Sequence, residues 1–365
     1  MSTKPKPKPT HPERTIVVTP AVTPQTRPQQ LSTELVPATA STVTQPRKSW
    51  TDWRRWWQRP TTYGSHVITS EEMLQELAQQ VQAIIVEVNQ RGGSGKTTGA
   101  CTTAVMLGEV TRQSIVVIDG NRALGNTASR LGVESGATVR TAAGVFGDSF
   151  THSDICRLLG SHPRLGNVRC IMSDDAAVRS VLPELAEDQF ALLIANCKKA
   201  AHSVLVDLGG TLEGPYLRAA MTMADVVRIN FVPWQENSAI DALDTLRHLQ
   251  AYWPDKADRA LVVVNGYRGQ EDEQRVATAY SEFFFGTPDR ANQILLVPYD
   301  QAFEPLRPMD GSPLQPINVL DPKKFSASTY RAMLRRDIAT LKAAAAAQAD
   351  RDVIPAPRHP DEEIQ

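Results

Sequence analysis

A glycine-rich segment near residue 95 combines the residue types that bind a chain of phosphates. It consists of Arg91, Gly92, Gly93, Ser94, Gly95, Lys96, Thr97 and Thr98. The glycines allow the backbone to curl, so that successive N–H groups and a helix N-terminus converge on one anion. Lys96 adds a positive charge near the β and γ phosphates, and the Thr97 hydroxyl suits Mg²⁺.

The residues around this segment give it the context of a phosphate-binding loop. An apolar run at 83–88 predicts a buried strand before it, and a small-residue and Leu/Met pattern at 99–110 predicts a helix after it. A chance glycine-rich turn would lack these flanks. Strand, glycine loop and helix together therefore predict a nucleotide site.

Polar or turn residues also stand at the ends of other predicted strands. They are Asp119, Asp207, Asn265 and Pro298, which end the strands 114–118, 203–207, 260–265 and 293–298. Ligands of parallel sheets bind beyond the carboxyl ends of the strands, so these residues are expected beside the loop. Asp207 would bind Mg²⁺ directly or through water, with Asp119 as the second acid. A lone acid at a strand end is more often a cap or turn residue, so both assignments depend on the loop.

The alternation of short apolar strands with amphipathic helices predicts an α/β fold. We expect a mostly parallel twisted sheet with helices on both faces. Further strands are predicted at 168–172 and 226–232, and helices at 70–82, 178–199, 236–251, 272–285 and after Phe325.

The composition divides the chain into three parts. Residues 1–62 predict a disordered, basic, Pro/Thr-rich arm, 63–345 the folded domain and 346–365 a disordered acidic tail. Residues 1–63 carry ten Lys and Arg against three Asp and Glu, a net +7, which leaves −8 for the rest of the total of −1. The positive charge is therefore concentrated in the arm.

The segment 48–59 within the arm holds four Trp and four cations. On a helix, Trp50, Trp53 and Trp57 would share one face. Such a face could lie at a membrane interface, dock on a partner protein, bind nucleic acid or pack on the protein's own domain.

The cysteines and the first residues of the sequence indicate where in the cell the protein is expected. Cys101, Cys156, Cys170 and Cys197 lack metal or redox spacing, so we expect buried free thiols in a reducing cytosol. No secretory signal and no apolar run long enough for a bilayer is apparent. The expected location is the cytoplasm, with peripheral attachment to the inner face of the membrane as an extension.

Several segments, in a consistent order, resemble the ParA/MinD family of P-loop ATPases. Residues 91–98 look like its deviant Walker A motif, and 117–121 with 125–127 its switch segment. Residues 204–210 resemble its Walker B strand, 224–234 the strand that follows, and 297–300 with Met309 to Leu314 its late nucleotide-base loop.

The resemblance implies an ATPase that forms a face-to-face homodimer around two ATP molecules, hydrolyses slowly and positions a cargo. It implies that the loop and Lys96 bind phosphates. Thr97 would bind Mg²⁺, and Asp119 and Asp207 would support the metal and the switch segment. Asn265, Pro298 and Asp300 would border the adenine. GTP is disfavoured, because no Asn-Lys-x-Asp motif follows Asn265.

Two residues depart from the family pattern. The signature Lys, which reaches the partner's phosphate across the dimer, is Arg91, which keeps the charge on a longer, planar group. The Asp expected to orient the attacking water is Asn121, whose amide can hold water but cannot accept its proton. Slow hydrolysis is therefore predicted.

Three functions compete. The first is a DNA-segregation ATPase on nonspecific DNA, although the region after residue 63 is acidic. The second is a positioning ATPase for a membrane-bound secretion or conjugation machine, docked through 48–59. The arm and the domain also loosely resemble actinobacterial ATPases associated with type VII secretion. The third is a nucleotide-binding scaffold or regulator of a membrane-associated secretion system with little or no turnover, which Asn121 motivates.

Overall fold

A computed structural model describes residues 69–121, 125–145, 151–175, 178, 181–210, 212–269, 271–303 and 319–353. The predictions made for the arm, for the Trp/Arg segment 48–59, for Met309 to Leu314 and for residues after 353 lie outside these residues.

The described residues form an eight-stranded sheet with the order β3-β4-β2-β5-β1-β6-β7-β8. Its neighbouring strands are parallel except for the short pair β3 and β4. The strands are β1 (Ile84–Val88), β2 (Ile115–Gly120), β3 (Gly160–Ser161), β4 (Val168–Ile171), β5 (Ser203–Leu208), β6 (Val226–Phe231), β7 (Leu261–Tyr267) and β8 (Ile294–Pro298). The prediction of a mostly parallel α/β sheet is confirmed.

Helices connect most of the strands. They are α1 (Ser70–Gln80), α2 (Lys96–Thr111), α3 (Thr127–Arg130), α4 (Val139–Val145), α5 (His152–Leu158), α6 (Glu187–Ala200), α7 (Pro215–Met223), α8 (Ser238–Tyr252), α9 (Pro254–Asp258), α10 (Glu273–Phe285) and α11 (Ala327–Val353). Short 3₁₀ turns occupy Pro288–Gln293, Gln301–Phe303 and Pro322–Lys324. No helix of the described part of the chain is long and apolar enough to cross a membrane.

The strands are almost continuously apolar because helices cover both faces of the sheet. The strands β1, β2, β5 and β6 are buried along their whole length, and they include Ile85, Val117 and Leu205 at 0% exposure. Burial on both faces explains why these strands lack the alternation of half-buried strands. The same continuous runs made them recognisable in the sequence.

Three predictions of local structure are wrong in part. The helix predicted at 178–199 is not continuous, because 182–186 are not helical and α6 begins at Glu187. Pro183 explains the break, since proline disfavours helical backbone in the residue before it. The tail predicted as disordered from 346 is helical to Val353. Cys156 is exposed, whereas the other three cysteines are buried.

A buried network of charges fastens helix α2 to the sheet and to α11. The guanidinium of Arg228 on β6 donates to Glu87 on β1 and, at 2.8 Å, to Thr103 Oγ1 on α2. It lies 3.5 Å from the carboxylate of Asp337 on α11, which also accepts from Thr103 and Arg336. The ionic groups of this network are 0–2% exposed. Since buried charges are tolerated only when paired, the network fixes how these elements pack.

Replacement of Arg228 should therefore destabilise the fold strongly. Arg228→Met leaves Glu87 buried without its cation and leaves Asp337 with Arg336 alone. We therefore expect a loss of about 3–5 kcal/mol in the free energy of unfolding. Urea denaturation followed by circular dichroism measures it. The control is Arg218→Met, because Arg218 pairs with Glu187 at the surface with half-exposed side chains, and that change should cost less than about 1 kcal/mol. Equal losses in the two variants would contradict a structural role for the network.

Candidate nucleotide-binding site

The glycine-rich loop connects the end of β1 to the start of α2, as the sequence predicts. Gly93 and Gly95 have left-handed backbone angles, with φ of 75° and 96°. A Cβ atom on Gly95 would lie 2.6 Å from Nδ2 of Asn265, which is closer than atoms can approach. Glycine is therefore required at Gly95 both by the turn and by the side chain packed against it.

Side chains from the neighbouring strand ends hold the loop in place. Asn89 donates to the carbonyl of Asn230 on β6 and accepts at 2.9 Å from the backbone N–H of Arg91. The amide of Asn265 on β7 donates to Asn230 Oδ1 at 3.0 Å and to the carbonyl of Ser94 at 3.4 Å. Thr245 on α8 accepts from the N–H of Gln90 at 3.2 Å. Side chains from the strand ends and from α8 therefore hold the loop in its curled shape.

Lys96 lies inside the curl of the loop. Its Nζ donates to the carbonyl of Arg91 at 2.8 Å and to Ser94 Oγ at 3.3 Å, and the residue is only 6% exposed. Burial lowers the pKa of Lys96, although the charges of Asp207 and Glu87 oppose that shift. The ammonium is therefore held where a phosphate oxygen could replace the loop's own acceptors.

The two strand-end acids lie side by side. Asp119 on β2 pairs in register with Asp207 on β5. One oxygen of Asp207 accepts from Thr97 Oγ1 at 2.6 Å and from Thr127 Oγ1 at 3.1 Å. Asp119 accepts from the N–H groups of Asn121 and Thr127 at 3.1 and 3.2 Å. The structure thereby brings both acids and Thr97 to one place.

The surroundings of Asp207 disfavour its negative charge. The residue is fully buried, and burial, followed by the nearby charge of Asp119, raises the pKa of Asp207 to about 7. The hydrogen bond from Thr97 and the charge of Lys96 oppose that rise. Asp207 Oδ1 is also buried and has no hydrogen-bond partner among the residues described. A cation at this position would relieve both costs.

These donors fit Mg²⁺ rather than a soft metal. Carboxylate and hydroxyl oxygens are the ligands of hard cations, and Mg²⁺ in nucleotide sites takes one or two carboxylates together with phosphate oxygens and water. Within the described ranges, no group of three or more His, Cys, Asp and Glu could hold a metal ion. The protein part of such a site is therefore Thr97 and Asp207, with Asp119 adjacent.

Arg91 and Asn121 occupy different environments at the edge of the loop. The guanidinium of Arg91 forms an ion pair with Asp241 on α8, with Nη1 2.8 Å from Oδ2, and both side chains are partly exposed. Asn121 lies beyond the end of β2, with its Oδ1 3.2 Å from the position of a Cβ on Gly209. Arg91 is therefore bound within its own chain, while Asn121 flanks the strand end that carries Asp207.

The three residues assigned to the adenine have different contacts in the structure. Asn265 contacts the loop itself, and Pro298 ends β8 beside Tyr267. Burial would raise the pKa of Asp300, but hydrogen bonds from the amides of Ala302 and Ser326 outweigh it and lower that pKa. The Asp300 carboxylate thus fixes the turn before α11. The assignment of these residues to the adenine stays a prediction.

Sequence reasoning missed several residues of this region. Thr127 and Asn230 lie in segments that carry the family resemblance but were given no role, and Asp241 and Thr245 belong to no motif. All four contact the loop or the acids. A stack was missed too, with the Arg268 guanidinium 4.0 Å from the ring centre of Tyr299 and 5.1 Å from that of Trp234. Trp234 and Tyr299 each follow a proline at or just beyond a strand end, which is the signal that could have found them.

Comparison with known proteins supports a nucleotide-binding fold. Residues 85–308 match the CbiA family, described as the CobQ/CobB/MinD/ParA nucleotide binding domain. The chain is also similar to the ESX-1 secretion-associated protein EspI of Mycobacterium tuberculosis, in two strains, with 28% identity over 228 residues. That match covers 60% of this chain and 32% of EspI, so the chain spans about a third of the length of these curated relatives.

Two solved structures share the fold. The septum site-determining protein MinD of Pyrococcus horikoshii, in complex with Mg-ADP, has a TM-score of 0.50 and 20% identity, covering 70% of this chain and 94% of that one. A ParA family ATPase of Chlorobium tepidum has a TM-score of 0.53 and 17% identity, covering 71% and 98%. At these identities the likeness concerns the fold alone.

The raised pKa of Asp207 predicts a pH-dependent stability. Between about pH 4 and pH 7 the unfolded chain has lost the proton that native Asp207 retains, so stability should fall as pH rises through this window. Asp207→Asn keeps an acceptor for Thr97 but removes the titration. We expect the variant to gain at least about 1 kcal/mol relative to the native chain between pH 5 and pH 8, without added nucleotide or metal.

Urea denaturation at both pH values measures this difference. Asp244→Asn is the matched control, because the Asp244 side chain is 47% exposed and pairs with Arg247 at the surface. The same pH dependence in the Asp207→Asn variant and the native chain would contradict the assignment.

Proposed function

Since this chain belongs to the CobQ/CobB/MinD/ParA nucleotide-binding domain family, we propose that it is an ATPase that binds Mg·ATP and hydrolyses it slowly. The observation that supports this most directly is the convergence of a curled glycine loop, Lys96 and the Thr97–Asp207 hydrogen bond at one edge of the sheet. Each of these groups suits one part of a triphosphate with its metal.

The loop and Lys96 bind the phosphates. Backbone N–H groups at 92–97 and the N-terminus of α2 offer partial positive charge, and Lys96 exchanges the carbonyl of Arg91 for a phosphate oxygen. Thr97 and Asp207 hold Mg²⁺, with Asp119 adding negative charge beside it. Bound Mg²⁺ supplies charge neutralisation to the phosphoryl group that is transferred.

Asn121 limits the rate of hydrolysis. Phosphoryl transfer to water needs a group that orients the water, and a carboxylate there can also accept its proton. The Asn121 amide can orient water through hydrogen bonds but offers no base. The catalytic set that we propose is therefore Lys96, Arg91, Asp119 and Asn121, and its turnover is slow.

Arg91 serves an ATP-dependent homodimer. It lies at the outer edge of the loop and is 37% exposed, so its guanidinium can reach a facing subunit once it leaves Asp241. A planar guanidinium can bind two phosphate oxygens at once. The exchange of Asp241 for a partner's phosphate then becomes part of dimer formation.

The adenine lies at the end of β8. Pro298 contributes to its border directly, whereas Asn265 acts through the loop and Asp300 through the turn that it fixes. This part of the proposal follows from the family resemblance and from the position of these residues at the same sheet edge as the loop.

The cargo that we favour is a secretion machine. The similarity to a secretion-associated protein supports this choice, and the Trp/Arg segment 48–59 supplies the docking group to a membrane-bound machine or partner protein. Partitioning of DNA is the alternative cargo, with nonspecific DNA as the partner, and the net charge of −8 after residue 63 argues against it. A scaffold without useful turnover is the second function, which Asn121 favours.

Removal of the Lys96 ammonium should abolish nucleotide binding. For Lys96→Ala we expect an affinity for Mg·ATP at least about 100-fold weaker than that of the native chain, because a charged contact to phosphate is lost. Isothermal titration calorimetry measures it. Lys342→Ala, on α11, is the control and should bind normally. An unchanged affinity in the Lys96→Ala variant would overturn the proposed function.

Restoring the carboxylate should accelerate hydrolysis. Asn121→Asp is expected to raise the single-turnover rate by about 10–100-fold, since it adds a proton acceptor, with little change in affinity for Mg·ATP. Rapid-quench measurement of phosphate release tests it. ATP-dependent dimerisation of the native chain, measured in parallel by light scattering, separates the two functions, because a scaffold dimerises without phosphate release. A native rate already typical of efficient ATPases would contradict the role given to Asn121.

A further inference from the structure

A second cavity lies at the opposite edge of the sheet from the glycine loop. Its volume is about 610 Å³, and its wall includes Ser114 before β2, Asn167 before β4 and His202 before β5. These positions precede the amino ends of parallel strands, whereas the loop and the two acids follow their carboxyl ends. The cavity is therefore separate from the candidate nucleotide site, and a volume of this order suits a small-molecule ligand.

The charged residues that line this cavity are all basic. Arg112, Arg169 and Lys199 contribute cationic groups from three different elements, and His152 and His202 contribute imidazoles. Among the described residues that line it, none is Asp or Glu. Burial lowers the pKa of His202, so this imidazole acts as a neutral hydrogen-bonding group. A concave wall with cations and no carboxylate favours an anion electrostatically.

Two of these groups form hydrogen bonds with nearby backbone carbonyls. The guanidinium of Arg169 donates to the carbonyls of Cys156 and Leu159 at the end of α5, at 3.2 and 3.3 Å. The ring of His152 contacts the carbonyl of Ala200 at 3.2 Å, at the end of α6. Such contacts satisfy helix C-termini and would explain basic residues here without any ligand. They leave the charges of Arg112 and Lys199 to be explained.

Arg112 and Lys199 bind no helix C-terminus within the described ranges. Arg112 forms a long ion pair with Glu109, with 4.0 Å between Nη1 and Oε2, and its side chain is 70% exposed. No hydrogen bond or ion pair of Lys199 occurs among the described residues. Arg112 ends helix α2 with φ of 58°, the left-handed conformation in which helices commonly end.

We propose that this cavity binds a small molecule that carries two or more phosphate groups. The cations of Lys199, Arg112 and Arg169, set on separate elements, match several separated negative charges better than a single one. Duplex nucleic acid fits less well, because it would approach a domain region with a net charge of −8. The site is additional to the proposed ATP site and does not depend on it.

Binding of inorganic tripolyphosphate to the full chain tests this inference. Calorimetric titration at about 0.1 M ionic strength keeps electrostatic screening constant. We compare the native chain with Arg112→Gln/Lys199→Gln, with Lys96→Ala and with Arg247→Gln/Arg335→Gln. The last removes two surface arginines that are 65% and 59% exposed and lie on other helices. Thermal melts of each variant verify the fold.

We expect the Arg112→Gln/Lys199→Gln variant to lose a tripolyphosphate site, with binding at least about tenfold weaker there. The Lys96→Ala variant and the surface control should retain that site. If Lys96→Ala abolishes all binding, the cavity holds no such ligand and the inference is overturned. If Lys96→Ala changes nothing while the cavity variant loses binding, the inference stands and the proposed ATP site fails.

Nucleic acid and free nucleotide provide the remaining comparisons. ADP added to the Lys96→Ala variant should bind through the same two residues if the natural ligand is a nucleotide, and only tripolyphosphate should bind if it is an inorganic phosphate chain. Either result supports the inference. A 20-base-pair duplex that requires Arg112 and Lys199, with no binding of tripolyphosphate to them, would overturn it.

Discussion

The proposed chemistry depends on one constraint, the burial of Asp207 beside a second carboxylate. Asp119 and Asp207 stand in register on neighbouring parallel strands, and Asp207 is fully buried. Hydrogen bonds from Thr97 and Thr127 compensate only part of that cost, because one oxygen of Asp207 has no partner among the described residues. A cation placed between these groups would offset the cost of keeping the pair buried.

The shape of the glycine loop depends on polar side chains at the ends of the neighbouring strands. Asn89 and Asn265 bind the loop backbone, and Asn230 accepts hydrogen bonds from both of their side chains. The buried pair of Glu87 and Arg228 holds helix α2 to the sheet. These groups lie one or two residues from apolar strand positions. The loop can therefore keep its curled shape through the rigidity of the strands on which these residues stand.

The sequence was sufficient for the fold and for the position of the glycine loop because both rest on local signals. Continuous apolar runs mark buried parallel strands, and the spacing of Gly92, Gly95 and Lys96 marks a phosphate loop. Contacts such as Arg91 with Asp241, 150 positions apart, leave no local pattern. The same holds for Arg228 with Asp337, since a charged residue in an apolar strand does not reveal its partner. Pro183 is a signal for a helix break in the sequence, but the helical periodicity on either side of it led to the prediction of one continuous helix.

The short strand at one edge of the sheet affects how copies of this protein can associate. Strand β3, at one edge, has only two residues and runs antiparallel to β4. So short an edge offers too few free backbone groups to template a strand from another molecule. Growth of fibres by edge-to-edge strand addition is thereby blocked on this side, and self-association there has to use side-chain surfaces, which can be specific and reversible.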